Sequence, residues 1–193
     1  MINTVCVYSA SSTQIDKAYF DDAKELGKIL AEKKISIVNG AGNMGLMRAV
    51  TDSAMENGGK CIGVIPQFMV EQEWHNPKLS ELIVVDSMHE RKHKMAQMSE
   101  GVIALAGGCG TLEELMEIIT WKQLGLFLHP IVILNTKGYY NPLLEMLNKA
   151  AEERFMREEH RTIWSVANTP TEAVELLTST QKWDESVRKF AYI

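Results

Sequence analysis

Cysteine is scarce in this chain and forms no pattern. Cys6, Cys61 and Cys109 are odd in number and far apart, with no C-x-x-C pair. They build neither a disulfide framework nor a zinc site, and they fit a reducing compartment. The five histidines include no H-E-x-x-H pair, and no glycine loop carries the lysine of a Walker A motif, so a P-loop nucleotidase is poorly supported. Basic charge is also short, with 20 Lys+Arg against 25 Asp+Glu and a formal net charge of −5. A duplex-binding protein normally carries a basic face, so nucleic acid is a poor partner, and any anion bound here is small and held locally. The opening "MINTVCVYSASS" lacks a charged region ahead of a long apolar core, unlike a signal peptide. No apolar run approaches the ~18–20 residues of a membrane span. These absences predict a cytoplasmic protein without membrane or nucleic-acid partners.

The remaining composition is that of one globular domain, 1–193, with 46% hydrophobic and 23% charged residues. Seven short apolar runs alternate with amphipathic stretches: Thr4–Tyr8, Ile35–Asn39, Cys61–Ile65, Leu82–Asp86, Val102–Ala106, Ile131–Asn135 and Ile163–Ala167. Between them the spacing predicts helices near 16–33, 45–57, 89–100, from Thr111, 142–154 and 171–180. An irregular stretch holds Pro66 and Pro77, and the tail from Gln181 is expected to be loosely attached. Strands buried on both faces and separated by helices imply right-handed βαβ units on a parallel sheet. The fold class is therefore α/β, a Rossmann-like three-layer fold with a central parallel sheet flanked by helices.

In such sheets ligands sit beyond the carboxyl ends of the strands, which selects the loops to inspect. Gly40, Gly42 and Gly45 spell G-x-G-x-x-G. They follow the second strand instead of the first, and the next strand ends in "VIPQ" without an acid for a ribose hydroxyl, so a dinucleotide dehydrogenase is disfavoured. Tight turning and close helix–strand contact explain the glycines equally well. In "HERKHK" (89–94), Lys92 and Lys94 fit a solvated helix face. Arg91, near the start of a helix, opposes the dipole unless an anion or acid compensates, and its guanidinium suits a bidentate grip on phosphate or carboxylate. In "LAGGCGTLEEL" (105–115), Gly107, Gly108 and Gly110 let the backbone approach an anion, and Thr111 is expected as the N-cap. Glu113 and Glu114 have two readings: acids that complement the dipole, with Glu114 at capping-box spacing from Thr111, or acids placed for chemistry. Cys109 is read as lining, not as a nucleophile, because no partner base is evident.

"AGGCGTLEE" (106–114), with "SMHERK" (87–92) upstream, closely resembles the P-G-G-x-G-T-x-x-E and M-H-x-R-K signatures of the LONELY GUY (LOG) family. Its members are cytokinin-activating phosphoribohydrolases, many once mislabelled lysine decarboxylases. "NGAGNMGLM" (39–47) is similar to the family's Y-G-G-G-x-x-G-L-M loop, and "VYSASS" (7–12) to its strand ending in G-S-S. The resemblance runs from Asn3 to Leu177. Departures are Ala106 for proline, Asn39 and Ala41 for tyrosine and glycine, Arg48 where glycine is common, and Ala10 for the glycine before the serines.

The resemblance implies hydrolysis of the N-glycosidic bond of a nucleoside 5'-monophosphate to free base and ribose 5-phosphate. It implies Arg91 and Glu114 as the catalytic pair. It implies substrate contacts from Glu73, Arg91, Lys92, Gly107, Gly108, Cys109, Gly110, Thr111, Leu112, Glu113 and Thr120, with Ser11 a second-tier candidate facing the same cleft. It implies no metal and no organic cofactor, and a homodimer with sites near the interface. A non-catalytic nucleotide sensor of the same fold is the rival. Lysine decarboxylation is disfavoured, because no pyridoxal-phosphate constellation is visible. The apolar segment "EIITWKQLGLFLHP" (117–130) suits either a buried core element or a dimer contact.

Overall fold

The apolar runs in the middle of the sheet form strands shielded on both sides. All six residues of Cys61–Pro66 are buried, and so are all four of Ile131–Leu134. The computed structural model describes residues 2–183 and Ser186. Its strands are β1 (Thr4–Tyr8), β2 (Ser36–Asn39), β3 (Cys61–Pro66), β4 (Glu81–Val85), β5 (Val102–Ala104), β6 (Ile131–Leu134) and β7 (Ser165–Ala167). Its helices are α1 (Lys17–Glu32), α2 (Gly45–Glu56), α3 (Gln67–Glu71), α4 (Met88–Gln97), α5 (Cys109–Gln123), α6 (Asn141–Glu152) and α7 (Pro170–Ser179). The strands form one sheet in the order β4-β3-β2-β1-β5-β6-β7, with every pairing parallel.

The period-2 alternation of β1 shows how the layers are divided. Val5 and Val7 face a core shared with Leu26 and Leu30 of α1, Val50 of α2 and Val174 of α7. Cys6 and Tyr8 face the opposite core, with Met95 of α4, Leu115 and Ile118 of α5 and Leu147 of α6. Helices thus cover both faces of the sheet, the three-layer Rossmann-like arrangement expected. The strand order reverses between β1 and β5, which opens a crevice beyond their carboxyl ends.

Several boundaries differ from expectation. The stretch after β3 is not wholly irregular: Gln67–Glu71 makes one short helix with no buried side chain. β5 stops at Ala104. Ile163 does not open the last strand, because it caps a 3-10 turn over Glu158–Thr162. Helix α5 starts at Cys109, with Gly108 and not Thr111 as its N-cap, and no side chain caps it. Thr111 therefore lies inside the first turn, and the capping box expected from its spacing to Glu114 does not form. In the 117–130 segment, Ile118, Ile119 and Phe127 are buried in this chain's own core, whereas Leu124 and Leu126 stay exposed. The tail expected to be loose falls largely outside the described residues, although the Trp183 N–H donates to Leu128 O at 2.9 Å.

Candidate active site

Helix α4 holds Arg91 by its first turn. Ser87 Oγ accepts the Glu90 N–H at 3.1 Å, and Glu90 Oε2 accepts the Asp86 N–H at 3.0 Å. These two bonds satisfy free N–H groups and fix the helix entry. Arg91 then points inward from the buried face of α4 and is only 6% exposed. Its Nε donates to Val64 O at 3.1 Å and its Nη2 to Gly40 O at 3.3 Å. A Cβ at residue 40 would overlap the guanidinium, so glycine is required there by the arginine. Nη1 has no oxygen that close: it lies 3.9 Å from Glu114 Oε1 and 3.8 Å from Met88 Sδ.

Glu114 is 8% exposed, on the inner face of α5. Burial raises its carboxyl to about 7, and the Arg91 charge opposes that rise without cancelling it. The group therefore exchanges its proton near neutrality, in the range useful to a general base or acid.

The loop leading into α5 is braced from behind. Tyr139 OH donates to Gly107 O at 2.6 Å and Tyr140 OH to Leu105 O at 2.7 Å. Gly107 is needed for packing, since a Cβ there would overlap the Thr111 side chain. Gly108 and Gly110 are different. A Cβ at either would meet no atom within 4 Å, and neither has a positive φ. The protein's own packing does not call for glycine at these two positions, and the space in front of them is open to a ligand. Behind that space stands an N-terminus without a side-chain cap, a natural anion seat.

A cleft of about 660 Å³ joins these groups. The loop after β1 contributes Ser9 to Ser12, and the loop after β2 contributes Gly40, Gly42, Asn43 and Met44, with Met47 beyond. Met69, Glu73 and Trp74 come from α3 and its exit, Arg91 from α4, and Gly108, Cys109, Gly110, Thr111 and Glu114 from the β5–α5 turn. Asn39 shapes the second loop. Its Oδ1 accepts the Ala41 N–H at 2.9 Å, and its Nδ2 donates to Thr51 Oγ1 at 2.8 Å. Ala41 is thereby held at φ 64°, in the left-handed region.

Among the candidates from the sequence, Arg91, Glu114, Glu73, Gly108, Cys109, Gly110, Thr111 and Ser11 border this one cleft. Gly107, Lys92, Leu112, Glu113 and Thr120 do not. Lys92 Nζ reaches Glu113 Oε1 at 2.6 Å and Glu117 Oε2 at 3.2 Å. Burial pulls its amine down, but these two carboxylates carry it above the usual lysine range. The hydrogen bond from Lys92 holds the Glu113 carboxyl low in turn. Leu112 packs toward the core, and Thr120 Oγ1 donates to Met116 O at 2.8 Å. Sequence reasoning missed Ser9, Asn43, Met44, Met47, Met69 and Trp74. The carboxyl-end rule pointed to the loops of the first four but not to those side chains, and Met69 and Trp74 fall in the stretch read as irregular.

Comparison with known proteins shows the family. Residues 47–177 match the family model described as "Possible lysine decarboxylase". The chain is 44% identical over 183 residues to the probable cytokinin riboside 5'-monophosphate phosphoribohydrolase LOGL2 of Oryza sativa subsp. japonica, covering 95% of this chain and 75% of that protein. It is 42% identical over 183 residues to the cytokinin riboside 5'-monophosphate phosphoribohydrolase LOG4 of Arabidopsis thaliana, covering 95% and 85%. The chain belongs to the LOG family. Among solved structures, the molybdenum cofactor carrier protein of Chlamydomonas reinhardtii superposes with a TM-score of 0.70 at 20% identity, covering 91% of this chain and 95% of that one. That likeness shares the fold alone. The decarboxylase label on the LOG family model does not suit this cleft: pyridoxal chemistry needs a Schiff-base lysine, and no lysine borders the cleft among the described residues.

Proposed function

We propose that this protein hydrolyses the N-glycosidic bond of a purine nucleoside 5'-monophosphate, adenosine or cytokinin type, releasing free base and ribose 5-phosphate. The observation that carries this reading is Arg91 facing Glu114 at 3.9 Å beside the uncapped start of α5, in one cleft. The phosphate sits over Gly108 and Gly110, where backbone N–H groups and the helix dipole meet it. Arg91 Nη1, without an oxygen partner at hydrogen-bond distance, adds a charged donor. Anchoring the phosphate turns remote binding energy into orientation of the ribose.

As the C1′–N9 bond breaks, positive charge grows on the ribose, and the buried Glu114 carboxylate stabilises it. The same carboxylate takes the proton of the water that attacks C1′; that proton passes on to the base nitrogen released from C1′, so the base leaves neutral and the Glu114 carboxylate is regenerated. Arg91 positions and supplies charge without giving up a proton, since a guanidinium stays protonated in proteins. Met44, Met47, Met69 and Trp74 give the cleft an apolar, aromatic rim suited to a flat base. We place the enzyme in the cytoplasm as one domain acting in a homodimer. No helix among the described residues is long and apolar enough to cross a membrane.

Incubation with AMP, GMP, CMP and isopentenyladenosine monophosphate, with chromatography of the products, tests the reading. Purine base is expected to appear. Glu114→Gln is expected to bind nucleotide yet release base at least ~100-fold more slowly, the usual loss for a missing general base. Full turnover by that variant would remove Glu114 from the mechanism.

A further inference from the structure

Ser9 follows β1 immediately, at the crevice where the strand order reverses. It is 4% exposed, and its Oγ has no hydrogen-bond partner. Nearly all buried hydroxyls find one, and an unmade bond is destabilising, so this hydroxyl is out of place in the empty protein. The loop does not need it for its shape. Ala10 N–H donates to Ala106 O at 3.3 Å, and Ala10 O accepts the N–H groups of Leu46 and Met47 at 2.9 and 3.2 Å. Those backbone bonds hold the turn, and alanine at position 9 would make them equally well.

Ser9 borders the same cleft as Arg91, Glu114 and Gly108. The bond from Ala10 to Ala106 places it beside the β5–α5 turn, on the anion-seat side, whereas Met69 and Trp74 enter from beyond β3. We propose that Ser9 is a further substrate-binding residue, whose hydroxyl hydrogen-bonds the sugar-phosphate part of the nucleotide. This rests on the function proposed above. The bound ligand satisfies a group that the empty protein leaves unpaired, so the serine exchanges some stability of the free enzyme for affinity.

The test is calorimetric titration of ribose 5-phosphate into the wild type and Ser9→Ala, together with their melting curves. Ser9→Ala is expected to bind ribose 5-phosphate about 5- to 30-fold more weakly, the usual loss for one buried hydrogen bond. Its melting temperature without ligand is expected to match or exceed that of the wild type. Equal affinity in the two proteins would exclude Ser9 as a contact while leaving the hydrolase reading intact. A lower melting temperature in the variant would mean a structural role and overturn the proposal. Absence of ribose 5-phosphate binding by a wild type that releases base from AMP would overturn the Ser9 inference alone, whereas absence of base release would remove the hydrolase reading and the Ser9 inference with it.

Discussion

At Glu114 stability and chemistry pull in opposite directions. Its carboxyl is raised from 4.5 to about 7, chiefly by burial. Between those values the native protein keeps a proton that the unfolded chain has lost. The associated stability is full below pH 4.5 and is lost as the pH rises through 7. At roughly 1.4 kcal/mol per pH unit, the loss is about 3–4 kcal/mol. Glu114→Gln has no charge to bury. It should melt above the wild type at pH 8, with the difference shrinking toward pH 5, and melting curves across that range check it. Activity should run the other way: kcat/KM of the wild type is expected to rise through about pH 7 as the working carboxylate forms. Arg91 invites a second test at residue scale. Because any Cβ at residue 40 overlaps its guanidinium, Gly40→Ala should break the bonds to Val64 O and Gly40 O together. We expect kcat/KM to fall ~100-fold or more, as a misplaced catalytic group commonly causes, read by steady-state kinetics.

Five helices end in the same way, with a left-handed residue followed by a backbone bond reaching back five residues. The left-handed positions are Lys34 after α1, Gly58 after α2, Glu73 after α3, Gly125 after α5 and Arg154 after α6. Glycine fits there without strain, and other residues cost ~1–2 kcal/mol. Lys34→Gly and Arg154→Gly, both exposed and away from the cleft, should each stabilise by about 1 kcal/mol and raise the melting temperature by roughly 2–4 °C. Glu73 keeps the same strain at the rim of the cleft, where strain commonly marks function. Gly110 differs: it lies inside α5 without a left-handed backbone, and it borders the cleft. Alanine there should favour the helix by up to about 1 kcal/mol, yet project into the anion seat and raise KM, a split that melting and kinetics resolve. At this scale the sequence was most legible where burial repeats: strands such as Ile131–Leu134, apolar throughout, could hardly be read otherwise. The start of α5 was not. Thr111 has the composition of a cap, but the extended backbone of Gly108 takes that position, which only the fold determines. Helix α3, five residues with no buried side chain, offers no periodicity to detect.

For the whole molecule, topology decides which residues meet. Arg91 and Glu114 are 23 positions apart and were legible because each sits in a dense local motif. Trp74 carries no such signal, and Ser9 lies in "VYSASS" with nothing there to mark it out. They share a cleft only because β1 lies beside β5, and because Gly42 bridges to His75 and draws the segment after α3 over the second loop. The same reasoning bears on Thr120, which lies on α5 but away from its own chain's cleft. It is exposed, and so are Leu124 and Leu126 just beyond it, at the end of a helix whose Leu115, Ile118 and Ile119 are buried. Two exposed leucines at one helix end are poorly explained by a monomer's packing but are suited to the interface of the proposed homodimer. In that assembly Thr120 would approach the second copy. Size-exclusion chromatography with light scattering should give twice 21.7 kDa for the wild type at micromolar concentration. Leu126→Asp, which buries a charge only if that face is covered, should shift the mass toward 21.7 kDa with little change in monomer stability. A wild type that elutes as a monomer would refute the dimer. A Leu126→Asp variant that stays dimeric would place the interface elsewhere on the surface, and Thr120 would then have no role in substrate binding through this face.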